Sequence, residues 1–111
     1  MNNINFFGGS PKALPASIPT FNRILKLMKS NKSLRIRIDG HTNGCPGGVA
    51  VSQDLSLSRA LTVKSFLIKK GIGSERITSK GFNCTQMLFP TPSTLEEQSL
   101  NRRVEILVTG Y

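Results

Sequence analysis

The sequence predicts an α/β (α+β) domain of order β-α-β-α-β-α-β, one mixed four-stranded sheet with helices packed on it. Two periodicities and a set of breaks predict it. Apolar residues alternate at Leu34, Ile36 and Ile38 and again at Val104, Ile106 and Val108, the period of a half-buried strand. They recur at helical spacing at Ile18, Phe21, Leu25 and Met28, and at Ala60, Val63, Phe66 and Leu67. Clusters of Gly and Pro separate these runs.

The elements follow in chain order. Asn3 to Phe7 is expected to form a short first strand, stopped by Gly8-Gly9-Ser10-Pro11. A helix should run from about Ser17 to Ser30. Pro19 is tolerated there because the first turn has no intrahelical amide bond to lose. Lys26 and Lys29 suit the C-terminal end of its dipole, and Asn31 is a natural stop. In the second strand Arg35, Arg37 and Asp39 face away from the apolar side. Gly40-His41-Thr42-Asn43-Gly44-Cys45-Pro46-Gly47-Gly48 is then a loop built to present small polar groups. The second helix is expected to be capped by Ser56 and ended by Gly71. Arg76 to Phe82 reads as a third strand, and a loop with Pro90 and Pro92 leads to a short helix. Both Ser93-x-x-Glu96 and Thr94-x-x-Glu97 read as its capping box. The first two helical crossovers are long enough to join parallel strands.

A chain of 111 residues with 38% hydrophobic content supports one core of modest size. No apolar run approaches the ~20 residues that span a bilayer. Fifteen basic residues against six acidic ones give a formal charge of +9. That charge attracts anions of any kind, whether nucleic acid, lipid head groups or an acidic polymer, and solvated helix faces account for part of it. The Met-Asn-Asn-Ile opening carries no basic, apolar or lipid-attachment signal; taken literally it means the cytosol, and read as the start of an excised domain, the reading preferred, it says nothing of compartment.

Enzyme chemistry finds little support. There is one histidine, His41, no Gly-x-Ser-x-Gly elbow and no paired carboxylates within one motif. His41, Cys45 and Cys84 supply three conceivable zinc ligands, without a Cys-x-x-Cys pair or an evident fourth. A disulfide between Cys45 and Cys84 is better supported than a metal site, with free thiols as the other reading. Each follows a strand, and parallel neighbours would bring both loops to the same end of the sheet. Such a bond implies an oxidising compartment. Nucleic-acid binding rests on charge alone, for no aromatic-basic strand motif or phosphate loop is present. If Ser56 caps the second helix, Arg59 lies in its first turn and opposes the dipole by roughly 0.3–1 kcal/mol; such a cation is either solvated and indifferent or kept for a ligand's carboxylate.

These pieces fall in a recognisable order. Ile36-x-Ile38-x-Gly40-His41-Thr42-Asn43 is followed by Leu55-Ser56-x-x-Arg59-Ala60-x-x-Val63-x-x-x-Leu67, then by Gly71-Ile72 and Arg76-Ile77-x-x-Lys80-Gly81. Asn101-Arg102-Arg103-Val104-Glu105-Ile106 closes the series. Over essentially its whole length the chain resembles the OmpA-like C-terminal domain shared with Pal-type lipoproteins and flagellar stators.

The resemblance implies a single periplasmic module that grips the diaminopimelate of the peptidoglycan stem without cutting it. It would anchor an outer-membrane-tethered Gram-negative protein to the wall, with no cofactor. Arg59 would take the stem carboxylate with two parallel hydrogen bonds. Asn43 would take the ammonium through its amide oxygen, Thr42 and the Gly8, Gly9 and Ser10 loop would shape the groove, Leu55 would give apolar contact, and Ser52 would support the loop. His41, Arg102 and Arg103 are assigned to the scaffold. The family usually has Asp where this chain has Asn43, and a neutral acceptor there costs about 1 kcal/mol. Ser52 stands where Asn is common, and the loop to Arg59 is one residue longer than usual. Three outcomes stay open: the same ligand held more weakly, an amidated or altered stem, or a grip lost while the fold survives. The last would make this an interaction domain of an envelope secretion or motor complex.

Overall fold

A computed structural model describes residues 4–45 and 47–111. Its elements are β1 (Ile4–Asn5), α1 (Ile18–Ser30), β2 (Arg35–Gly40), α2 (Val49–Lys69), β3 (Ile77–Gly81), α3 (Leu95–Asn101) and β4 (Arg103–Gly110). Short 3₁₀ turns at Pro15–Ser17 and Ser74–Arg76 lead into α1 and β3. The sheet order is β1-β4-β2-β3. β2 and β3 are parallel, and β4 runs antiparallel to both β1 and β2. The mixed four-stranded sheet and the element order are those expected.

Ile4, Phe6, Ile36, Ile38, Ile77 and Val104 bury one face of the sheet against Phe21, Ile24 and Met28 of α1 and Ala60, Val63 and Leu67 of α2. Complete burial of each large side chain contributes about 1.5–3 kcal/mol. Residues of opposite parity in β2 lie on the other face, where Arg37 holds Asp39 through two hydrogen bonds of 2.7 and 2.9 Å. Pairing in β1 ends at Asn5, after which Phe6 bridges Ala13 as the chain turns back; Asn3 lies outside the described residues. Thr94, not Ser93, caps α3, accepting from the Glu97 amide at 3.0 Å.

The largest departure is α2. It begins at Val49 with Gly48 as its N-cap, so Ser56 lies inside the helix and Arg59 in its third turn. The reading of Arg59 as a cation set against the dipole of the first turn is thereby corrected. The first two turns escaped the apolar pattern because their outward residues Val49 and Val51 are apolar, while the inward ones are Ser52 and Ser56. Small inward residues are needed because the helix lies on glycine. Gly40 and Gly81 are in register on neighbouring strands, and a Cβ at Gly40 would overlap the Ser56 carbonyl oxygen. Ser56 Oγ accepts from the Asn83 amide at 3.0 Å and donates to the Gln53 carbonyl at 2.9 Å, which ties α2 to the loop after β3.

Candidate ligand-binding groove

The loop after β1, the loop after β2 and the middle of α2 converge at one end of the sheet. Cys45 and Cys84 are bonded there, with Cα atoms 5.5 Å apart, joining the loops that follow β2 and β3. Asn83, the one non-glycine residue with positive φ among those described, turns the second loop. Its carbonyl accepts from the Thr42 amide at 3.0 Å, and its side chain accepts from the Cys84 amide at 2.7 Å. Thr42 in turn donates its hydroxyl to the Gly44 carbonyl at 2.7 Å.

Beside this junction lies a cleft of about 190 Å³ lined by Gly8, Gly9, Thr42, Asn43, Leu55, Arg59 and Arg102. Arg59 is completely buried. Its guanidinium donates to the carbonyls of Ser10 (3.0 Å), His41 (2.9 Å) and Phe7 (3.1 Å), and lies 5.5 Å from the centre of the Phe6 ring. Burial, and then the charge of Arg102, pull its pKa down to about 10, so it remains a cation at neutral pH. Arg59 therefore holds the Phe7–Ser10 loop and charges the floor of the cleft; it is not a free fork standing in solvent. Two of its five N–H groups are left over from those three bonds.

Arg102 is the cation that sequence reasoning assigned to the scaffold. It lines the cleft while its Nε donates to the Phe6 carbonyl at 3.3 Å. A signal for it existed: it shares the parity of Val104 and Ile106, so it falls on the helix-covered side of the sheet, beside α2. Its neighbour Arg103 points the other way, paired with Glu105 and donating to the Gln86 carbonyl at 2.8 Å. Two positive charges thus meet at the cleft, and among the described residues no Asp or Glu lines it.

The remaining expected residues divide. Gly8, Gly9, Thr42, Asn43 and Leu55 line the cleft, whereas Ser10 and Ser52 do not. Ser10 contributes its carbonyl to Arg59. Ser52 is buried, and its hydroxyl has no partner among the described residues. The amide oxygen of Asn43 is partly used: Oδ1 accepts from Asn101 Nδ2 at 2.9 Å, which leaves one lone pair. His41 is buried, stacked on Phe82 with ring centres 5.4 Å apart.

A larger cavity of about 530 Å³ lies between α1 and α2, lined by Pro11, Phe21, Leu61, Thr62, Phe66 and Lys69 among others. Its walls are chiefly apolar, and Lys69 is its one charged lining residue. The smaller cleft is the better site, because it alone of the two gathers charge and backbone from separate elements.

Comparison with known proteins matches residues 5–103 to the OmpA family. The peptidoglycan-binding protein ArfA of Mycobacterium tuberculosis is 29% identical over 95% of this chain and 32% of its own length. The structure of the cell wall anchor of the T6SS from Pseudomonas aeruginosa superposes with a TM-score of 0.75, at 26% identity, over 96% of this chain and 75% of that one. The peptidoglycan-associated lipoprotein from Burkholderia pseudomallei shares the fold, with a TM-score of 0.87 at 17% identity over 98% and 91% of the two chains. The chain spans about half or less of the length of the curated relatives it matches, 11%, 48% and 32% for the first three.

Proposed function

This chain belongs to the OmpA family, and on that premise we propose that it is a non-catalytic module that binds the peptide stem of peptidoglycan and holds the protein carrying it to the cell wall. The observation that carries the reading is the convergence of Arg59 and Arg102 on one cleft without a carboxylate to neutralise them. A cleft of that charge is suited to a carboxylate of the stem, that of diaminopimelate foremost. The loop carbonyls that fix Arg59 keep its charge in place before the ligand arrives, which lowers the ordering cost of binding. Arg102, less buried than Arg59, supplies the accessible donors. Relatives described as a peptidoglycan-binding protein and as a cell wall anchor support the same reading. It places the domain in the periplasm, with the parent protein supplying any tether to the outer membrane. The Cys45–Cys84 bond accords with an oxidising compartment.

The test is co-sedimentation with purified sacculi. The wild-type domain should pellet with them, and Arg102→Ala should bind about tenfold more weakly while still folded by circular dichroism, since a charged hydrogen bond to a carboxylate is worth about 1.5–3 kcal/mol. A folded wild-type domain that stays in the supernatant would turn the reading toward an interaction domain of an envelope complex.

A further inference from the structure

Within the wall-binding reading, on which this inference rests, the cleft carries further information in the hydrogen-bonding sense of Asn43. The two ends of an amide side chain are told apart by their partners. Asn101 is buried and its Oδ1 accepts from the Phe89 N–H at 2.9 Å, so its Nδ2 is the donor end. That nitrogen donates to the Phe89 carbonyl at 2.8 Å and to Asn43 Oδ1 at 2.9 Å. One of the two lone pairs of the Asn43 oxygen is thereby committed to the scaffold, which fixes the sense of the amide, and its NH₂ is left without a partner among the described residues. An aspartate at this position would give one oxygen to Asn101 and still offer the other, charged, to a ligand. Asn43 offers a donor instead. The exchange of acid for amide reverses the sense of the group as well as removing its charge.

The other side chains of the cleft have chiefly the same sense, although the carbonyls of Gly8 and Gly9, without a donor among the described residues, are acceptors. Arg59 and Arg102 are donors only. The amides of Gly8 and Gly9 have no partner among the described residues. Apart from Asn43, the Thr42 hydroxyl is the one side-chain acceptor among the lining residues.

We infer that the groove takes a carboxylate whose neighbouring nitrogen is acylated, a peptidyl carboxylate, in preference to a free amino-acid zwitterion, with Asn43 as the specificity-determining residue. An acylated nitrogen is neutral and needs no counter-charge beside two guanidiniums. Its acyl carbonyl is an acceptor for the Asn43 NH₂. A free ammonium would be a third cation facing a donor, with no carboxylate in the lining to receive it. In peptidoglycan this chemistry has two sources: a cross-linked diamino acid, whose amine is acylated by a neighbouring stem, and the last residue of a stem.

The experiment is a titration followed by amide chemical shifts, using N-acetyl-D-alanine against D-alanine, and mono-N-acetyl-meso-diaminopimelate against meso-diaminopimelate. Each acylated compound should bind about tenfold more tightly than its free amine, as expected when an acceptor replaces an unpaired charge. Asn43→Asp should reverse the order within each pair, and the tighter of the two acylated compounds identifies the source. Equal or tighter binding of the free amines by the wild type overturns the inference. So does an unchanged ratio in Asn43→Asp, or no shift with any compound up to millimolar concentrations. Sedimentation with sacculi, run in parallel, separates the two readings. Sacculi bound with the free amines preferred would keep the anchor and remove the acyl preference. Sacculi unbound with the acylated compounds preferred would do the reverse.

Discussion

Arg59 and His41 are linked through a single carbonyl: the His41 oxygen accepts from Arg59 Nη1 at 2.9 Å, while the imidazole stacks on Phe82 across the sheet. Burial first, and then the charge of Arg103, push the His41 pKa down to about 4. The folded state therefore resists a proton that the unfolded chain accepts near 6.5. Above that pH the contribution to stability is complete, and it is lost as pH falls from about 6.5 toward 4. Between pH 7.5 and 4.5 this group alone should remove roughly 2–3 kcal/mol. Urea unfolding at both pH values should show that loss in the wild type and a smaller one in His41→Gln; equal losses would mean other groups set the acid sensitivity. At this scale the sequence was partly legible. Thr42, Asn43, Leu55 and Arg59, named from their motif, line one cleft, because the spacing of a strand end and a helix is local. The Asn101–Asn43 bond was not, since it joins residues separated by 58 positions and gives no pattern to either segment. Without it the amide oxygen of Asn43 looked free.

At the scale of elements, α2 is the instructive case. Its buried stripe of Ser52, Ser56, Arg59, Ala60, Val63 and Leu67 has regular helical spacing, yet begins with two serines and an arginine. A reading that follows apolar residues enters that helix late, as happened here. The polarity has a physical cause: two serines let the backbone of α2 settle onto Gly40 and Gly81, and the arginine reaches past the end of the sheet to the β1 loop. The strands were more legible, because Ile36, Ile38 and Val104 alternate cleanly into one core. Gly40→Ala should force the helix away from β2 and cost about 3 kcal/mol or more, measured by chemical denaturation. A cost under about 1 kcal/mol would mean that α2 shifts freely on the sheet.

At the scale of the molecule, the Cys45–Cys84 bond spans a sequence separation of 39 residues, for which the chain-entropy account expects a contribution of about 4 kcal/mol. Thermal unfolding with and without reductant should show a clear loss of stability on reduction, with the paired Cys45→Ser and Cys84→Ser variant matching the reduced wild type. An unchanged transition would mean that the loops are held by Asn83 and Ser56 alone. The strand order has its own consequence. The last of the four strands in chain order, β4, is inserted between β1 and β2, and among the described residues β1 pairs with no other strand. Ile4 meets Val104 only after nearly the entire domain has been synthesised. The sheet therefore cannot be completed from its first strand onward, and a nascent chain stays open until β4 has emerged. Such an order delays closure and leaves the facing edges of β1 and β2 waiting for one late strand.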